Sequence, residues 1–182
     1  MADEQSSVFE AGQTGLVIGV PEAEPAVRGW RERLNHSAWA EVPAHVTVLY
    51  PFLDESLVDE GVCAALAELF GRHSAFDLRF ARCGRFPGVL YLVPEPDGPV
   101  RRLTEAVVGR WPEAQPYGGK YGEAVPHLTI VQKQEEEVLD EIEAGVADHL
   151  PVSCRVSAVH LMVYDGVKWQ ERATFALLPA SE

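Results

Sequence analysis

Cysteine is scarce in this 182-residue chain. Cys63, Cys83 and Cys154 are odd in number and widely spaced. That excludes the disulfide framework of a small secreted domain and fits reduced thiols in a cytosol. Long apolar runs are missing too, and none approaches the ~18 residues of a membrane span. Basic residues are few, with 15 Lys plus Arg against 28 Asp plus Glu, a net charge of −13. A field of that sign repels an anionic membrane or a long nucleic acid, duplex DNA included, but it permits a small anion in a local pocket. The chain has no glycine-rich phosphate loop of the Walker or Rossmann type, no Cys-x-x-Cys and no His-Glu-x-x-His. It therefore offers no cofactor fingerprint and no convincing metal-ligand set. The opening Met1-Ala2-Asp3-Glu4 is acidic where a signal peptide would be basic and then apolar, so a cytoplasmic protein is expected. Residues 1–13 read as a disordered acidic start.

An internal repeat is present. Gly15-Leu-Val-Ile-Gly-Val-Pro21-Glu22 is answered by Gly88-Val-Leu-Tyr-Leu-Val-Pro94-Glu95. Each reads as a short strand ended by proline, which donates no ladder hydrogen bond. A helical pattern follows in each half, through Val27, Trp30 and Leu34 and through Leu103, Val107 and Trp111. Then come two strands that start just after a proline, Pro43-Ala-His45-Val-Thr47-Val and Pro126-His127-Leu-Thr129-Ile. A second amphipathic helix follows in each half, on Val58, Val62, Leu66 and Phe70 and on Val138, Ile142, Val146 and Leu150. Strands over Phe76–Ala81 and Val152–Val163 close the two halves. A last strand over Trp169–Leu178 places Trp169, Ala173, Phe175 and Leu177 on one face, with Glu171 breaking the pattern. The expected fold is α+β: two β-α-β-α-β units, over about 14–84 and 87–178, forming pseudo-symmetric lobes with antiparallel sheets around a central groove. Residues 14–182 are expected to be one bilobal domain.

A strand places residues i and i+2 on one face. His45 and Thr47 therefore point one way, as do His127 and Thr129, while Val46, Val48, Leu128 and Ile130 face a core. Relating the halves by a pseudo-two-fold axis brings two imidazoles and two hydroxyls to one cleft. One imidazole can be neutral and the other protonated near neutral pH. That makes a complete acid–base set for a phosphoester, with each threonine donating to a phosphate oxygen. The scheme needs no metal and no cofactor. The near symmetry of the two motifs does not say which histidine is the base.

His45-Val-Thr47-Val and His127-Leu-Thr129-Ile resemble the paired His-x-Thr-x motifs of the two-histidine phosphoesterase superfamily, which includes 2′-5′ RNA ligase-like proteins and cyclic phosphodiesterases. The resemblance extends over most of residues 14–178. It implies a bilobal fold with His45, Thr47, His127 and Thr129 lining the groove, and chemistry at a 2′,3′-cyclic or related phosphate. The implied partner is a nucleotide or an RNA terminus carrying such a phosphate. Four readings stand at this point: hydrolysis of the cyclic phosphodiester, ATP-independent 2′-5′ RNA ligation, a non-catalytic nucleotide-binding module, and a structural protein whose His–Thr pairs only hydrogen-bond.

Other candidates are weaker on sequence. The second half carries nine extra residues before its histidine, in the Gly/Pro-rich stretch from Pro112 to Gly122. Lys120 and Lys133 flank the second motif and are candidates to meet phosphate. Tyr50, Phe52, Tyr121 and Trp169 are candidates to stack a base. Tyr50 points away from His45 in a regular strand, and Pro51 is where that strand can bend. The acidic run over 135–148 reads as a solvated face.

Overall fold

The computed structural model describes residues 9–34, 42–120 and 124–180. In chain order these form β1 (Thr14–Gly19), α1 (Glu24–Leu34), β2 (His45–Leu49), α2 (Glu60–Phe70), β3 (Phe76–Phe86) and β4 (Val89–Glu95). There follow α3 (Gly98–Arg110), β5 (Leu128–Val131), α4 (Glu136–Ala147), β6 (Val152–Val156), β7 (Ala158–Tyr164) and β8 (Trp169–Ala176). The strands make two four-stranded sheets, β2-β1-β7-β8 and β5-β4-β3-β6. Every pairing within them is antiparallel.

The expected α+β duplication is present, but the sheets do not divide where the sequence repeat divides. β3 was expected to end at Ala81 and to belong to the first half. It runs on to Phe86 and turns through Pro87 and Gly88 into β4, with Phe86 opposite Val89. Gly88 has φ +73°, a left-handed conformation that glycine adopts without a Cβ clash. A tight hairpin forces its two strands into one sheet, so β3 lies in the second sheet. The single strand expected over Val152–Val163 is two strands: β6 pairs with β3, and the chain then crosses to the first sheet, where β7 pairs with β1.

The helix-facing sides of both sheets share one core. Leu16, Ile18, Val46 and Val48 come to it from the first sheet, and Leu90, Leu92, Leu128 and Ile130 from the second. All eight are nearly inaccessible to solvent, as strand alternation requires when one face is covered. Asp59 starts α2 by accepting the Val62 amide at 2.9 Å, which satisfies one orphan donor of the first turn. Acidic residues of α4 do more than face solvent. Arg85 on β3 reaches Glu136, Asp140 and Glu143 at 2.8, 2.7 and 2.6 Å, a network that ties α4 to the second sheet.

The other face of the first sheet carries a small cluster of Phe9, Val17, Val42, Met162, Tyr164 and Trp169. Of the start expected to be disordered, residues 1–8 lie outside the described residues. Residues 9–13 pack on this face. The Phe9 ring sits 5.3 Å from Trp169 and 5.9 Å from Tyr50, and the Gly12 amide donates to the Tyr164 carbonyl at 2.9 Å. Trp169 does not share a face with Ala173 and Phe175. Between Leu161↔Ala173 and Met162↔Glu171 the register slips by one residue. This bulge at Arg172 inverts the alternation, which is why Glu171 broke the sequence pattern.

Candidate functional site

The two histidine strands meet across a cleft of about 150 Å³. His45 and Thr47 of β2 line it with His127 and Thr129 of the second half, so the structure brings together the four residues expected to converge. The two rings are hung in the same way. The Nδ1–H of His45 donates to the Pro43 carbonyl at 2.9 Å, and that of His127 donates to the Val125 carbonyl at 2.6 Å. A carbonyl only accepts, so Nδ1 carries the proton in each neutral ring and Nε2 is its acceptor nitrogen. Each neutral ring can then take a proton at Nε2, and each protonated ring can give one there.

Both rings are held below the usual imidazole range. Burial pushes His45 down to about 4, with the charges of Arg31 and His127 adding to the effect and the Pro43 bond opposing it. Burial also lowers His127, against the Val125 bond. An anion in the cleft acts in the opposite sense and raises both, because it favours the charged ring.

Beyond the four expected residues the cleft is lined by Arg31, Tyr50, Tyr117 and Gln132. Tyr50 reaches it through a bulge. The β1–β2 register passes from Val17↔Thr47 to Leu16↔Leu49, so β2 carries one extra residue. Val48 and Leu49 are consecutively buried, and Tyr50 returns to the cleft face. The same slip recurs in the second sheet, from Tyr91↔Thr129 to Leu90↔Val131, and it brings Gln132 to the cleft. Tyr50 and Gln132 therefore occupy equivalent places, each three residues after its threonine. That spacing was visible in both motifs; what hid it was the assumption of a regular strand.

Tyr117 comes from the extra residues of the second half. Its amide donates to the Tyr50 carbonyl at 2.7 Å, and its ring stands 6.4 Å from the Tyr50 ring at 64°. Arg31 gave a subtler signal: it lies on the apolar stripe of α1 with Val27 and Leu34, where a cation does not belong unless it is paired. Arg31 is 4% exposed. It donates from Nη2 to the Val42 carbonyl at 2.8 Å and lies 3.9 Å from Glu24.

The remaining expectations fare differently. Phe52 is a core residue, edge-on to Trp111 at 5.3 Å, and does not line the cleft. Trp169 is buried in the Phe9 cluster, as the Arg172 bulge dictates. Lys120 and Lys133 are exposed and lie outside the cleft lining. Tyr121 lies outside the described residues. Among the described residues no three His, Cys, Asp or Glu side chains converge as a metal-ligand set, and no helix is long and apolar enough to cross a membrane.

The chain has the fold of several solved proteins. Escherichia coli LigT in complex with 3′-AMP superposes with a TM-score of 0.62 at 19% identity, over 92% of this chain and 99% of LigT. TT0787 of Thermus thermophilus gives 0.59 at 18% identity, over 93% of this chain and 100% of that one. A protein described as a phosphoesterase gives 0.59 at 18% identity, over 92% and 99% of the two chains. No curated protein sequence matches the chain. A family model does, over residues 19–168, a span that holds both histidine motifs and all eight cleft residues. On that match the chain belongs to the 2′-5′ RNA ligase superfamily, the two-histidine phosphoesterases.

Proposed function

We propose that this protein is a metal-independent phosphoesterase that opens a cyclic phosphodiester, a 2′,3′-cyclic phosphate or a related ring, on a nucleotide or RNA end. The observation that carries this reading is the matched pair of imidazoles lining one cleft, each with Nδ1–H tied to a backbone carbonyl, which makes Nε2 the proton-accepting nitrogen of each neutral ring. Crystal structures of E. coli LigT with 3′-AMP, NADP+ and ATP support a nucleotide as the ligand class.

The difference between the halves supports one assignment of roles. Burial, with the Arg31 charge adding to it, disfavours a positive charge at His45, so His45 is the neutral ring and takes the proton from water. The water oxygen bonds to phosphorus, and the ring P–O bond breaks. His127, charged when the phosphate anion occupies the cleft, delivers its Nε2 proton to the departing ribose oxygen. Thr47 and Thr129 donate hydroxyl hydrogens to the non-bridging oxygens, where charge collects. Arg31 supplies a fixed positive charge on the same floor. Tyr50 and Tyr117 give the base an aromatic surface, and the Gln132 amide reads polar atoms opposite.

Ligation is the same exchange with a 5′-hydroxyl in place of water. The acidic net charge favours a small substrate over a long RNA. The deciding experiment offers purified protein a panel of 2′,3′-cyclic nucleotides, ADP-ribose cyclic phosphate and RNA with 2′-5′ linkages, each with and without exhaustive chelation. We expect hydrolysis of a cyclic phosphate at a rate that chelation leaves unchanged. Binding without turnover across the panel would make the protein a nucleotide-binding module. Activity lost on chelation and restored by zinc or magnesium would overturn the metal-free scheme.

A further inference from the structure

We infer that Arg31 and Arg101 are a duplicated pair of positioning residues, each clamping the backbone from which one cleft imidazole is hung. The inference rests on the reading of His45 and His127 as the working pair, but the clamp itself is geometric.

In the first half, Arg31 Nη2 donates to the Val42 carbonyl at 2.8 Å, and the next carbonyl, Pro43, accepts His45 Nδ1–H at 2.9 Å. In the second half, Arg101 Nη1 donates to the Ala124 carbonyl at 3.3 Å, and the next carbonyl, Val125, accepts His127 Nδ1–H at 2.6 Å. Each guanidinium thus holds the carbonyl three residues before a histidine, and the histidine leans on the neighbouring one. Each is placed by an acid at the start of its own helix. Glu24 lies 3.9 Å from Arg31 and also accepts the Ala44 amide at 2.5 Å. Asp97 accepts from Arg101 Nε at 2.9 Å.

The equivalence is internal to the chain. Glu24 and Asp97 stand in the same relation as Gly15 and Gly88, and Val42 and Ala124 in the same relation as the two histidines. The arginines themselves do not correspond. The repeat counterpart of Arg101 is Arg28, which pairs outward with Glu32 at 2.8 Å, and Arg31, about one turn further along α1, makes the contact instead. Two different helical positions reach the same backbone point, which an incidental surface pair has no reason to do.

The clamp answers a local weakness. The carbonyls that hold the rings, Pro43 and Val125, lie outside the sheet ladders: on the first side the strand bonding reaches Ala44, whose carbonyl accepts the Val20 amide at 2.8 Å, and on the second side pairing begins at Leu128. In the second half His127 itself precedes the paired residues. A carbonyl with no ladder to hold it is a loose anchor for a ring that must meet phosphorus chemistry at a fixed angle, and small misplacements cost rate.

The test uses the full chain with Arg101→Met, Arg101→Lys and Arg31→Lys. Two readouts are taken: the imidazole Nδ1–H resonances of the free protein, and kcat and KM on the substrate found by the panel. Arg101 is the safer site because it is part-exposed, whereas Arg31 is buried. Arg101→Met is expected to shift the His127 resonance and leave that of His45 in place. It should lower kcat about 10-fold with KM within roughly twofold, the signature of lost transition-state alignment rather than lost binding. Arg101→Lys, which keeps a donor, should recover most of kcat. Arg31→Lys, which also keeps a donor, should likewise retain most of kcat, with any resonance shift confined to His45. The inference is overturned if His127 does not move in folded Arg101→Met, if both histidines move together, or if kcat is unchanged. The resonance arm decides without turnover, so a failure of the proposed reaction is distinguishable from a failure of the clamp. If Arg31→Lys does not fold, the Arg101 arm decides alone.

Discussion

The His45 side and the His127 side of the cleft are built to one plan and furnished differently. Each has a His-x-Thr strand, an Nδ1 bond to a carbonyl two residues back, and a register slip that returns a third side chain to the cleft. Around His45 stand the buried Arg31 and the aromatic Tyr50. Around His127 stand Phe86 and Tyr91, edge-on at 5.3 and 5.5 Å, and the amide of Gln132. A cation beside one ring and aromatic carbon beside the other make two similar imidazoles unequal. The comparison teaches that duplication supplied two similarly hung imidazoles, while their neighbours give each a different surrounding; on the proposed reaction, that difference separates the copy that gives a proton from the copy that takes one.

The largest effects test whether both copies are needed. His45→Ala and His127→Ala are each expected to lower kcat by at least ~10²-fold, the scale of general acid–base catalysis. A variant of either that keeps wild-type turnover breaks the pairing.

The pH profile then ranks the two. His45, depressed to about 4, must be unprotonated, so activity rises through that region. His127 must be protonated, so activity falls through its own value, which is lowered from the usual ~6.5. The bell in kcat/KM should therefore be centred on the acid side of ~6.5, with limbs that belong to the coupled pair. A centre above that, or a chemical step flat from about pH 5 to 9, removes the assignment.

Next come the hydroxyls. Thr47→Val and Thr129→Val keep shape and delete a donor to a charged oxygen, for ~1.5–3 kcal/mol each, or roughly 10- to 150-fold in kcat/KM. Equal losses would mean the phosphate is held symmetrically; unequal ones would place the developing charge nearer one strand.

The smallest effects separate the equivalent positions Tyr50 and Gln132. Tyr50→Ala should cost ~1–3 kcal/mol on nucleotides through lost stacking, expressed in KM, and nothing on an abasic ribose cyclic phosphate. Gln132→Ala should cost about 1 kcal/mol, the worth of a neutral hydrogen bond, and its size should vary with the base. The same loss for every base would show that Gln132 touches the sugar or phosphate instead.

Several of these residues could be read from the chain and several could not. Strand alternation was enough to put His45 with Thr47 and His127 with Thr129, because each pair lies before its bulge. It failed for Tyr50, Gln132 and Trp169, because one extra residue inverts every side chain beyond it. Phe52 and Trp169 were mistaken for cleft residues since an aromatic looks alike in sequence whether it stacks on a base or on Trp111. Arg31 was overlooked because its partners, Val42 and Glu24, are a carbonyl and an acid brought together only by packing.

The sequence by itself determined the duplication, the α+β class and the two histidine–threonine pairs, because those depend on local periodicity and on a repeated pattern of residue types. The tertiary structure decided what local pattern does not encode. It assigned β3 to the second sheet, through a two-residue hairpin, and β7 to the first, through a crossing at Ser157. It brought Arg31 to His45, Phe86 and Tyr91 to His127, and Tyr117 to Tyr50. The physical reason is that burial, charge proximity and register are properties of pairs distant in the chain, and only the folded chain fixes which pairs meet.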